Sequence, residues 1–187
     1  MQQPAVDTLT AAMNYMMQIM MVKFCFNDIP HFAFPEWFIE ASGGEPELVV
    51  DEWEDTAPFY HVSPTDRKAS ILERGLVPAD EATVLFQKAS AGKDKGRPLV
   101  VGVYLEEDRE FALQIAGIMY RAYGVARLTM FKVMLSGSLP FVCDPEGPPG
   151  AIVVLEAIPP DCISVEWHDI PSEVLDKAYE RTVSAEY

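Results

Sequence analysis

The run Phe59-Tyr-His-Val-Ser-Pro-Thr-Asp66, followed by Ser70-Ile-Leu-Glu-Arg-Gly-Leu76, constrains the fold more than any other stretch of the chain. Phe59, Tyr60 and Val62 flank a single histidine in a short strand pattern. The strand runs directly into a helix whose start and stop are both marked. Ser63 is expected as N-cap, Pro64 at the first helical position and Asp66 three residues past the cap. Ile71 and Leu72 supply the buried face, and Gly75 is expected to end the helix with positive φ. A strand leading straight into a helix places His61 at a strand end beside a helix start. There a side chain can face a ligand instead of a core.

The chain has 187 residues, enough for one domain of roughly 100–150 residues with a small appendage. Its hydrophobic fraction of 49% supports a core of ordinary size. The formal charge is −15, from 29 acidic and 14 basic residues. Such a surface repels phosphate backbones, so nucleic acid is disfavoured as a partner unless a local basic groove exists. The segment Arg121 to Arg127 is the one modest candidate. A basic protein target fits the charge better, and simple solubility is the plain alternative.

Cys25, Cys143 and Cys162 are too scattered for a disulfide framework, and no pair has zinc-ligand spacing. A reducing, cytoplasmic compartment and no metal site are expected. Leu9 to Phe26 is rich in methionine, but Asn14, Gln18 and Lys23 interrupt it, and a membrane span needs about 20 apolar residues. It is read as a buried helix or an adaptable face suited to oligomer formation or partner docking, with neither a membrane span nor a signal peptide.

The first 55 residues read as a helical N-terminal extension. It ends in the break Ser42 to Pro46 and an acidic linker or edge strand over 49–56. Residues 56–187 read as the main domain. Ala89 to Arg97 is a Gly/Lys-rich loop without phosphate-loop spacing. Leu99 to Leu105 is an apolar strand, in which Gly102 suggests either a close backbone approach or a bulge. Glu106 to Tyr123 is a helix, with Arg121 in its last turn and Gly124 as its stop. Strands follow at 127–135, 151–156 and 163–167, with a loop at 144–150, and a helix over 172–181 closes the chain.

The order of these motifs resembles the ADP-ribosyltransferase superfamily, including its bacterial and phage members and its RNA 2′-phosphotransferase branch. The resemblance covers residues 58 to 167. It rests on Tyr60-His61-Val62-Ser63, on Ser70-Ile71-Leu72 with Gly75-Leu76, on Val103-Tyr104-Leu105, and on Ile158-Pro159-Pro160-Asp161-Cys162-Ile163. It implies an α+β fold, with an ADP-ribosyltransferase-like split antiparallel sheet and flanking helices behind the N-terminal extension. It also implies NAD as the cofactor-substrate and transfer of ADP-ribose to a macromolecule, in a toxin or effector role. Such catalysis is mostly positioning and electrostatic stabilisation of an oxocarbenium-like state.

The resemblance assigns His61 to the nicotinamide-side ribose and Tyr104 to a wall of the nicotinamide pocket. The backbone of Val62 would meet the nicotinamide amide, and Ser63 would support the ribose. The family's later-strand glutamate falls here near Ala151 or Ile152, neither of them acidic. RNA 2′-phosphotransferases carry a hydrophobic residue at that position, which Ile152 matches, but no basic phosphate pocket is evident. Glu156, expected to share a strand face with Ile152 and Val154, or Glu146 in the preceding loop, could supply a carboxylate. The second stacking aromatic falls near Ile115, with Phe111, Met119 and Tyr120 as substitutes. Arg67 and Lys68 could reach a diphosphate, though a solvated helix face explains them as well.

The leading expectation is therefore an NAD-dependent transferase acting on a protein. The rivals are an inactive fold serving as an acidic binding or inhibitor protein, and an RNA 2′-phosphotransferase. For His61 the plain alternative is a core histidine satisfied by backbone groups, and for Tyr104 a sheet-packing aromatic.

Overall fold

A computed structural model of the chain describes residues 34–53, 57–78, 101–145 and 147–185. The chain divides into compact units at Met1–Ala33 and Phe34–Tyr187, and the described residues belong to the second. The Met-rich stretch, the Gly/Lys loop and Glu146 lie outside the described residues. The second unit begins upstream of the boundary expected between residues 55 and 56. The reason is visible in the pairing of Val49–Trp53, an edge strand of the main sheet.

In chain order the elements are α1 (Glu36–Ala41), β1 (Val49–Trp53), β2 (Phe59–Pro64), α2 (Lys68–Arg74), β3 (Val103–Leu105), α3 (Arg109–Arg121), β4 (Leu128–Val133), β5 (Gly137–Cys143), β6 (Ile152–Val154), β7 (Ile163–Trp167) and α4 (Ser172–Ala185). The fold is α+β with two antiparallel sheets. One has the order β1-β5-β6-β3 and the other β2-β4-β7.

The two-residue alternation of strand side chains sorts the apolar residues into two cores. Phe59, Phe131, Val133 and Ile163 from the three-stranded sheet join Val103, Leu105, Phe141, Ile152 and Val154 from the other. The opposite face of the three-stranded sheet carries Tyr60, Val62, Leu128 and Met130 into a second core with Ala112, Ala116 and Met119 of α3 and Leu175 and Ala178 of α4. β4 is thus covered on both faces, which is why Leu-Thr-Met-Phe at its start is buried without a break.

The helix junction after His61 differs from expectation. Ser63 and Pro64 remain in β2, opposite Thr129 and Leu128. A 3-10 turn at Thr65–Arg67 then leads into α2, which has no side-chain cap. Ser63 is buried beside a ladder partner and so is not free to cap. The helix stop is as expected, with Gly75 at φ 86. A side chain there would overlap the carbonyl oxygen of Ile158, which accepts from the Leu76 amide at 3.0 Å.

α3 starts later than expected. Asp108 is its N-cap and accepts from the Glu110 amide at 2.8 Å, and the preceding Glu106 is held in strand pairing. Gly102 does mark a close approach, since a Cβ there would sit 2.9 Å from the Val154 carbonyl oxygen. β5 lies outside the expected strands because of Pro140. Its carbonyl accepts from Leu155 at 2.9 Å, beyond the Phe141–Val154 pair that begins the β5–β6 ladder. The missing N–H therefore falls where that ladder has already ended, which makes proline tolerable in a central strand.

Candidate functional site

β2 is the outer strand of its sheet, and its free edge meets β3 at one place. The Tyr60 amide donates to the Glu106 carbonyl at 2.7 Å, and the Glu106 amide donates back at 3.0 Å. This pair is the one bridge between the two sheets among the described residues. Backbone polar groups alternate along an antiparallel strand, so those of Val62 face the same side as those of Tyr60. Consistently, the Thr65 amide faces the other way and donates to Arg127 at 3.0 Å. A continued ladder would set Val62 opposite Tyr104. It does not continue, and among the described residues no backbone group pairs with the Val62 N–H or C=O.

His61 occupies this point of divergence. Its Nδ1–H donates to the Tyr104 carbonyl at 3.1 Å, because a carbonyl can only accept. That bond fixes the tautomer and leaves Nε2 as an acceptor, with no recorded partner among the described residues. Burial lowers the pKa of the half-buried imidazole below the usual histidine value. The Tyr104 carbonyl opposes that shift, and the nearby Arg67 charge adds to it. The ring is therefore a neutral hydrogen-bond acceptor at neutral pH.

From His61 the sheet face changes character toward its open end. Phe59 and Phe131 are core, whereas Ser63 and its partner Thr129 are buried hydroxyls. Thr129 Oγ1 lies 3.0 Å from Thr65 Oγ1 and 3.3 Å from His168 Nδ1. Asp169 closes this tract. Hydrogen bonds from Arg127 and then Thr65 hold its carboxyl below the ordinary value.

The carboxyl closest in the chain to the split was not anticipated. Glu106 is 7% exposed, and its Oε2 is buried with no hydrogen-bond partner. Burial first, then the Asp144 and Asp108 charges, push its pKa up to about 7. The alternation that sends Leu105 into the core turns Tyr104 and Glu106 to the other face, the face of Tyr60. The signal for it lay in Asp108, which as N-cap starts the helix at Arg109 and frees Glu106 to extend the strand.

His61, Val62, Ser63 and the Tyr104 backbone are thus brought together at the split, with the Tyr104 ring on the opposite strand face from Leu105. The other expected site residues are not. Ile152 is a core residue opposite Leu105. Glu156 shares no strand face with it, because β6 ends at Val154 and Glu156 is exposed beyond the end remote from the Tyr60–Glu106 bridge. Phe111 is half-buried in the first turn of α3. Among the described residues no group of three or more His, Cys, Asp or Glu side chains is arranged to hold a metal ion, and no helix is long and apolar enough to cross a membrane.

A groove of about 370 Å³ opens elsewhere, between α3, α4 and the end of β7, lined by Arg109, Trp167, Lys177 and Arg181 among others. Arg109 pairs with Glu166 at 2.9 Å and lies over Trp167 at 5.5 Å, and Arg181 pairs with Glu110 at 3.2 Å. Its arginines are engaged, and none of its lining residues belongs to the split. No family model, no curated protein and no solved structure matches the chain.

Proposed function

We propose that the second unit is an ADP-ribosyltransferase-like domain that binds NAD at the split between β2 and β3 and transfers ADP-ribose to a protein acceptor. The observation that carries this reading is the bond from His61 Nδ1 to the Tyr104 carbonyl. It joins the two motif residues at the point where the paired strands separate. The Val62 amide and carbonyl beside it, without a backbone partner among the described residues, fit the donor and acceptor of a carboxamide. The Nε2 of a neutral His61, an acceptor, fits a ribose hydroxyl as donor, with the Ser63 hydroxyl two residues along the same strand face. NAD would supply a ribosyl group whose bond to nicotinamide is weak enough to break under positional and electrostatic help. The acidic surface, at net charge −15, favours a basic protein as acceptor over nucleic acid.

A second reading is favoured by one observation. The strand position where a glutamate is expected holds buried Ala151 and Ile152, and Glu156 is exposed beyond the end of β6 remote from the split. On this reading the domain binds a basic partner without catalysis. The two are separated by incubating the protein with labelled NAD and a cell lysate, beside His61→Ala and Tyr104→Ala variants checked for folding by circular dichroism. Transferase action predicts label on discrete proteins with the wild type, and at least tenfold less with His61→Ala. Absence of both transfer and nicotinamide release, with all three proteins folded, would leave the binding reading.

A further inference from the structure

Glu106 stands at the one backbone bridge between the two sheets among the described residues, directly across from Tyr60 and next in chain to the split. Its carboxyl has no cationic partner among the described residues. The titratable groups beside it among the described residues are acidic or a phenol: Asp144 after β5, Asp108 at the start of α3, and Tyr60 opposite it on β2. Lys132, the partner of Tyr60 on β4, is one strand further away. A neutral carboxyl can remain in such a place. A carboxylate there has an unsatisfied buried oxygen and two like charges beside it, which is a strong reason for the local structure to open and admit water.

We propose that Glu106 is a proton-controlled latch on the β2–β3 bridge: protonated it keeps the bridge closed, and ionised it opens the bridge and releases His61 from the Tyr104 carbonyl. The latch stands on the packing of the bridge and holds whether or not NAD is the ligand. Its direction follows from linkage. A closed state that binds the proton more tightly than the open state loses ground as pH rises, up to the point where the closed-state carboxyl itself ionises. Between the ordinary glutamate value and about 7, one proton separates the states, so the closed-to-open ratio falls by up to about tenfold per pH unit. Above that window the ratio levels off. The consequence is a site whose histidine is held in place in mildly acidic solution and loosened in alkaline solution.

The test is amide hydrogen exchange on the full chain, read residue by residue by NMR and corrected for intrinsic rates. The reporters are the Tyr60 and Glu106 amides, which make the bridge. The reference is the Met134 amide, which donates to Cys162 at 2.8 Å outside it. Wild type is expected to lose bridge protection by up to about tenfold per pH unit through the window while Met134 holds. Glu106→Gln, which cannot ionise, should show no loss of bridge protection as pH rises. Asp144→Asn, which removes the neighbouring charge with the larger effect on Glu106, should move the upper end of the window to lower pH and serves as the arm should Glu106→Gln fail to fold. Flat protection in the wild type, an unmoved window in Asp144→Asn, or Met134 changing in parallel would each overturn the latch.

Discussion

Gly117 lies in the middle of α3 where it crosses α4, and replacing it with alanine sets two known effects against each other. An added Cβ would lie 2.6 Å from the Tyr179 nitrogen, 2.8 Å from the Leu175 carbonyl oxygen and 3.1 Å from the Tyr179 Cα. All three atoms belong to the α4 main chain, so no rotamer change can make room. The helices must separate by several tenths of an ångström. Alanine gains about 1 kcal/mol over glycine from helix propensity. Against this stands overpacking, about 3 kcal/mol at the upper end of its range, since the obstacle is backbone. Separation also thins the packing of Leu175 and Ala178, both buried in the core beneath Tyr60 and Val62. Destabilisation of roughly 2 kcal/mol is the expected balance. Urea denaturation followed by far-UV circular dichroism measures it, with Gly124→Ala as control. Gly124 has φ 67 and nothing within 4 Å of a Cβ, so it reports backbone strain alone, about 1 kcal/mol. A Gly117→Ala protein as stable as wild type would show that the helix crossing is looser than these distances state, and the reasoning would fail.

Gly75→Ala should destabilise by more than about 2 kcal/mol, because it combines positive φ with overlap on the Ile158 carbonyl; a thermal melt checks it, and an unchanged midpoint would refute it. Global stability should carry two pH signatures of opposite sign. Glu106 has a raised folded pKa, so its contribution is complete below the unfolded value of 4.5 and is lost as pH rises to about 7, a loss of about 3 kcal/mol. His61 has a lowered folded pKa, so its contribution is complete above the unfolded value of 6.5 and is lost as pH falls below it. Denaturation midpoints across this range should show Glu106→Gln removing the alkaline-side loss and His61→Gln the acid-side loss. Identical pH profiles in wild type and both variants would refute both assignments.

How far the sequence revealed this arrangement depends on which signals act locally. The strand around His61, the positive-φ stop at Gly75, the last turn of α3 with Arg121 in it and the strand Ile163–Trp167 were all legible, since each is set by residues within one turn or one strand. The misread features are those decided by distant partners. Ser63 carries the composition of a cap but is taken by the ladder opposite Thr129. Pro140 argues against a strand until the shortness of β6 is known. Glu156 keeps the right parity relative to Ile152, yet β6 stops at Val154 and the parity has no strand to act on. Glu106 looked like a first-turn helix acid, and only its pairing with Tyr60 makes it a buried carboxyl.

These misreadings share a cause that also explains why the site is where it is. Among the described residues the two sheets meet at one bridge, and the ladder does not continue to the next pair of strand positions, Val62 and Tyr104. In place of a ladder bond, the His61 side chain donates to the Tyr104 carbonyl. The Val62 groups are left without a backbone partner among the described residues. Unpaired backbone groups beside a neutral imidazole are costly in isolation and favourable once a ligand with matching donors and acceptors arrives. The polar groups at the split thus follow from the separation of the sheets, and the residues around them determine what they can bind. A substitution that extended the β2–β3 ladder by one more pair would be expected to stabilise the fold and close the proposed site together, because both depend on the Val62 groups.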